Sequence, residues 1–157
     1  MTLHDILTTK GSTVYTIAPD ATLAEVVEKL VEHRIGSLLV CEPNDAGEDQ
    51  LVGIITDRDL LFVHARACPT GPSKATAGQC PWMQCLVKDV MTRNPITVGV
   101  EDSVEQVMGL MTARRIRHLP VVHEGRLVGI VSIGDVVKAK HARLAMENQY
   151  MKDYIRG

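Results

Sequence analysis

Two short stretches of this sequence place polar side chains at a matched spacing. GIITDRD (53–59) and GIVSIGD (129–135) share one pattern: a glycine, two apolar residues, a hydroxyl residue, and an aspartate three positions later. A hydroxyl followed at that spacing by an acid marks a helix start, with Thr56 and Ser132 at the N-cap and Asp59 and Asp135 at the third helical position. A helix N-terminus also offers unpaired N–H groups and a positive dipole end to an anion such as phosphate. The two aspartates therefore have two readings, cap or ligand acceptor, and one carboxylate can serve as both.

Other residues could do further chemistry. Arg114, Arg115, Arg117 and His118 form a basic run before Leu119 and Pro120. On a surface such a run is ordinarily solvated, but the planar fork of arginine also suits a phosphate. Arg58 precedes Asp59, whereas Gly134 precedes Asp135. His64, Cys68, Cys80 and Cys85 give H-x3-C-x11-C-x4-C, a set of soft ligands whose spacing fits no standard zinc finger. A metal site, a redox-responsive thiol pair and plain packing of small thiols against Trp82 are the readings open for that set. No nucleophile elbow, HExxH pair or Walker loop is present in the sequence, so a binding role is expected in place of catalysis.

The elements that must position these groups occur twice. Residues 15–40 align with residues 96–121, and LVGIITDRD (51–59) aligns with LVGIVSIGD (127–135) after a shorter loop. KDVMT (88–92) is echoed by HDILT (4–8). Each copy of this internal repeat reads as a short strand (14–17; 96–98), a helix, two strands and a helix. The first helix of each copy opens on capping spacing at Thr22/Glu25 and Ser103/Gln106 and runs to about His33 or Ala113. The continuous apolar run 35–41 suits a strand buried on both faces, and 117–122 is its counterpart. Residues 42–50 read as a polar loop before a strand at 51–55, and Glu124-Gly125 as a tight turn before 127–131.

Composition bounds the answer. Hydrophobic residues make up 45% of the 157 residues and aromatics only 3%, so the core must be aliphatic. A net charge of −2 disfavours a non-specific nucleic-acid binder. The lack of a long apolar run disfavours a membrane span, and the absence of a leader pattern at the N-terminus points to a cytoplasmic protein.

The repeat unit, together with DVMTRNPITV (89–98) and RRIRHLPVV (114–122), resembles the CBS domain, the family named after cystathionine β-synthase. Two tandem copies are similar to a stand-alone CBS pair, or Bateman module. The resemblance implies an α/β fold of two β-α-β-β-α repeats related by a pseudo-two-fold axis, plus a C-terminal helix. The expected organisation is a first repeat at 1–65, a linker at 66–86, a second repeat at 87–141 and a C-terminal helix at 142–157. The tail helix, apolar at Leu144, Met151 and Ile155, needs a partner surface in its own domain or another subunit.

The resemblance further implies an adenine ligand (AMP, ADP, ATP, NAD or S-adenosylmethionine) in the cleft between copies, with no cofactor required. Asp59 and Asp135, beside Thr56 and Ser132, would accept the ribose hydroxyls. Thr16 and Thr97 would contact ligand at their strand starts, against the plain β-propensity of threonine. Arg117 and His118, next to Pro120, occupy positions from which such domains reach phosphate, and they can serve a ribose held by Asp59 as well as by Asp135. The first repeat departs from this pattern: Gly36, Ser37 and Leu39 stand where Arg117, His118 and Pro120 stand, with only Arg34 upstream. Two unequal sites are expected. The functional expectation is a regulatory ligand sensor, a homodimer or a modulator of a protein target, and not an enzyme. The alternative is a metal- or redox-responsive interaction protein built on the cysteine-containing linker.

Overall fold

The structure, a computed structural model, describes residues 1–67 and 81–156. Along the chain it runs α1 (Leu3–Lys10), β1 (Thr16–Ile17), α2 (Leu23–His33), β2 (Ser37–Pro43), β3 (Asp49–Thr56) and α3 (Asp57–Ala67). A 3-10 turn (Pro81–Gln84), α4 (Val87–Val90), β4 (Thr92–Arg93), β5 (Val98–Gly99), α5 (Val104–Arg114), β6 (His118–His123), β7 (Arg126–Ser132) and α6 (Ile133–Arg156) follow. This is the expected α/β fold, in two sheets ordered β1-β2-β3-β4 and β5-β6-β7. In each, the first pairing is parallel and the next antiparallel.

Local chemistry explains the elements. Thr22 and Glu25 cap α2 reciprocally, the Thr22 N–H donating to the Glu25 carboxylate at 2.7 Å, and Ser103 and Gln106 do the same for α5. Both helices end on an arginine in the left-handed region, Arg34 at φ 52° and Arg115 at φ 54°, which turns the chain into the following strand. In β2, five consecutive residues from Ser37 to Cys41 are buried, as a strand covered on both faces requires. The polar segment after it is shorter than its composition suggests. β2 extends to Pro43 and β3 begins at Asp49, because the Asn44 side chain accepts from the N–H groups of Ala46 and Glu48, both at 2.9 Å, and closes a tight turn.

The chain divides into two compact units, Val14–Pro95 and Met1–Thr13 with Ile96–Gly157. Helix α1 thus belongs with the second repeat and α4 with the first. The Leu3 and His4 N–H groups donate to the carbonyls of Asp102 and Val100, at 3.0 and 2.9 Å. Those of Val87 and Lys88 donate to Ala21 and Pro19, each at 2.9 Å. The glycine that opens each GhhxxxD stretch receives the incoming segment. A Cβ on Gly129 would stand 2.7 Å from Leu7 Cδ2, and one on Gly53 would stand 2.5 Å from Met91 Sδ and 3.0 Å from the Thr92 carbonyl oxygen. Leu3 and Ile6 are buried among Val104, Val107, Val121 and Val131, and Val87 and Met91 among Leu23, Leu38 and Ile55. Both cores are overwhelmingly aliphatic.

Three boundaries differ from the sequence reading. The strands expected at 14–17 and 96–98 pair only at Thr16–Ile17 and Val98–Gly99. Pro81–Gln84, assigned to the linker, folds as a 3-10 turn and buries Trp82 in the core of the Val14–Pro95 unit. The tail is not a separate helix from 142: α6 is continuous over its 24 residues. Lys140 and Arg143 tie it to Glu105 of α5, at 2.9 and 3.3 Å. Beyond them Leu144, Met151 and Ile155 are exposed.

Gly129→Ala is expected to lower stability by about 1–3 kcal/mol, the usual cost of overpacking a tight site. Chemical denaturation should show its effect and that of Leu7→Ala to be less than additive in the double variant, since removing the leucine side chain vacates the space the new Cβ needs.

Candidate functional site

In the Val14–Pro95 unit, β3 delivers Thr56 to the start of α3. The Thr56 N–H and Oγ1 donate to Asp59 Oδ2 at 2.8 and 3.0 Å, and the Asp59 N–H donates to Thr56 Oγ1 at 3.3 Å. The expected cap is therefore formed, and it uses a single carboxylate oxygen. Among the described residues Oδ1 of Asp59 accepts no hydrogen bond. The Asp57 N–H donates to the Gly36 carbonyl at 3.0 Å, and Ser37 pairs with Thr56 across the sheet. Gly36, Ser37, Thr56 and Asp59 thus gather at one end of the unit. Arg34 lies just upstream, exposed. Thr16 pairs with Leu39, and its carbonyl accepts from Lys29 Nζ at 2.9 Å. The Arg58 side chain is exposed on the first turn of α3.

The other unit repeats this geometry. The Ser132 N–H and Oγ donate to Asp135 Oδ2 at 2.8 and 2.9 Å, and the Asp135 N–H donates to Ser132 Oγ at 3.2 Å. The Ile133 N–H donates to the Arg117 carbonyl at 2.8 Å, and His118 pairs with Ser132. Arg117 is exposed and His118 half-buried, while Pro120 is buried opposite Ile130. Thr97 is exposed and stands just before β5 instead of within it. Arg117 and His118 are thus brought to the helix start that carries Asp135, as Gly36 and Ser37 are to that of Asp59.

One residue with no cue in the sequence joins this second group. Lys10, from the end of α1, places Nζ 2.6 Å from Asp135 Oδ2, with the two side chains 32% and 24% exposed. Burial works against ionisation of Asp135, but the Lys10 ammonium and the Ser132 donors outweigh it and hold the carboxyl below its ordinary value.

The cysteine set resolves only in part, because Cys68 and Cys80 lie outside the described residues. The ring of His64 meets that of Trp82 edge-on at 5.7 Å. Cys85 is exposed, so its thiol is not packed in the core as the sequence suggested. Cys41 is buried, and burial together with the Asp49 carboxylate pushes its thiol up. Among the described residues no three His, Cys, Asp or Glu side chains converge to hold a metal, and no helix is long and apolar enough to cross a membrane.

A depressed aspartate contributes stability above its unfolded value, near 3.9, and loses it as pH falls through the lower folded value. The denaturation midpoint of the native protein should therefore fall below about pH 4, and Asp135→Asn, which keeps a capping oxygen, should flatten part of that slope. A slope unchanged in Asp135→Asn would show that other carboxylates carry it.

The CBS domain family matches residues 3–66 and again residues 87–142. The chain is 37% identical over 166 residues to the mitochondrial CBS domain-containing protein CBSX3 of Arabidopsis thaliana, covering 99% of this chain and 72% of that protein. Among solved structures it resembles a CBS-domain-containing protein of Agrobacterium tumefaciens (TM-score 0.72, 35% identity, 89% of this chain and 99% of that one). It also resembles CBSX2 in complex with AMP (TM-score 0.65, 28% identity, 90% of this chain and 96% of that one). With a duplicated fold, both GhhxxxD boxes formed and the family matched twice, this chain belongs to the CBS domain family as a tandem pair.

Proposed function

We propose that this protein is a regulatory adenine-nucleotide sensor in which Asp59 and Asp135 are ribose acceptors. The observation that carries this reading is the one-sided use of both carboxylates. Oδ2 of each is engaged by its own helix cap, which orients the group and leaves Oδ1 as an acceptor for a donor from outside. A ribose supplies two neighbouring hydroxyls, and hydrogen bonds to a charged acceptor are about twice as strong as neutral ones. Thr56 and Ser132 hold the two aspartates in place. Arg117 and His118 are the phosphate-binding groups on this reading, with Arg58 and Arg34 as further cations and Thr16, Thr97, Gly36, Ser37 and Pro120 shaping the approach. The AMP complex of the related CBSX2 supports an adenine nucleotide as the ligand class.

The role is regulatory and not catalytic: a ligand that binds one conformation better than another shifts the population by its differential affinity. The exposed apolar residues of α6, among them Tyr150, Met151, Tyr154 and Ile155, favour a homodimer or a protein target as the recipient of that shift.

Isothermal titration of AMP, ADP, ATP, NAD and S-adenosylmethionine into nucleotide-stripped protein tests the reading. At least one should bind, and Asp59→Asn or Arg117→Ala should weaken it tenfold or more, about 1.4 kcal/mol. Absence of binding by all five would overturn the assignment.

A further inference from the structure

The two aspartates share a cap but not their remaining surroundings. Asp135 Oδ2 accepts from the Ser132 N–H, from Ser132 Oγ and from Lys10 Nζ. Asp59 Oδ2 accepts only from the Thr56 N–H and Oγ1 among the described residues. A carboxylate has about two lone-pair sites on each oxygen, so the cap donors already fill Oδ2 of both aspartates, and what Lys10 adds at Asp135 is a positive charge. The alignment of HDILT (4–8) with KDVMT (88–92) puts Asn94 at the position of Lys10, so the Asp59 unit has no ammonium there.

The backbone that carries Lys10 is fixed. Lys10 closes a helix whose Leu3 and Ile6 are buried, and the Gly11 N–H donates to the Leu7 carbonyl at 2.9 Å to end that helix. The pair also lines an open groove of about 240 Å³ together with Ile6, Thr9, Lys138 and Ala139, so a solute can reach it.

We propose that Lys10 is a specificity-determining residue that competes with a ligand's ribose hydroxyls for the Asp135 carboxylate, so that Asp59 is the stronger of the two ribose acceptors. This rests on the ribose-acceptor reading above. The mechanism is competition for charge: a ribose hydroxyl that reaches Oδ1 of Asp135 meets a partly buried carboxylate already paired with an ammonium at 2.6 Å, which weakens the charge-assisted bond it can make. A ribose hydroxyl at Oδ1 of Asp59 meets no such ammonium among the described residues. The asymmetry comes from the short helix that each repeat receives from the other, not from the GhhxxxD boxes, which match.

The test uses the full chain, stripped of nucleotide, with AMP as the probe. In an Asp59→Asn background only the Asp135 acceptor is intact. There, Lys10→Met should raise AMP affinity tenfold or more, and Lys10→Arg, which keeps a cation, should leave it weak; thermal melting confirms that each variant folds. Unchanged affinity on adding Lys10→Met, or no AMP binding by the Asp59→Asn/Lys10→Met double variant while the wild type binds AMP, overturns the competition. A fall in affinity overturns it too, and makes Lys10 a ligand contact. If the wild type and every variant fail to bind any of the five adenine compounds, the ribose-acceptor reading falls first and this proposal with it.

Discussion

The close approach of a short incoming helix to a glycine underlies the rest of this structure. Gly129 accepts Leu7, and Gly53 accepts Met91 and the Thr92 carbonyl. No side chain can stand at either position without moving its neighbour. Each glycine sits three residues before the hydroxyl that caps the next helix, so the contact that seats α1 or α4 also fixes the strand that delivers Thr56 or Ser132. The packing of the core and the geometry of the carboxylates are therefore set at one place in each unit. This gives the leading glycine of the GhhxxxD pattern a physical reason that a capping motif alone does not supply.

Capping does not exclude the role of ligand acceptor. One oxygen of each aspartate does the capping, and doing so holds the carboxylate in a single orientation. A preoriented acceptor loses less freedom on binding than a mobile one. On the proposed reading, capping is a precondition for recognition, and the local stability of the helix start and the ligand contact are coupled through one side chain.

Much of the fold was legible from residues 15–40 and 96–121, because apolar periodicity and capping spacing are local signals. Thr22/Glu25, Ser103/Gln106, Thr56/Asp59 and Ser132/Asp135 all form the bonds their spacing suggests. What was not legible was long-range. Trp82 sits in a Pro- and Gly-containing stretch that reads as linker, yet it is buried, since nothing local to it states which core it will reach. The 24-residue α6 was read as two pieces, since its apolar face lapses where Lys140 and Arg143 instead bind Glu105. The candidate site was legible as far as its repeated members, and as far as the difference between Arg117-His118 and Gly36-Ser37.

By itself the sequence determined that the chain is a duplicated α/β unit, that each copy ends in a capped helix bearing an aspartate, and that the copies differ in their cations near β2 and β6. Repetition, periodicity and cap spacing are properties of neighbours along the chain, and they survive without a structure. Only the tertiary structure decided that α1 and α4 each complete the other repeat's unit, and hence that Lys10 meets Asp135, 125 residues away. That pairing depends on which core buries Leu3 and Ile6. Both cores are built mainly of aliphatic residues, so the apolar pattern of Leu3 and Ile6 along the chain does not state which of the two will bury them.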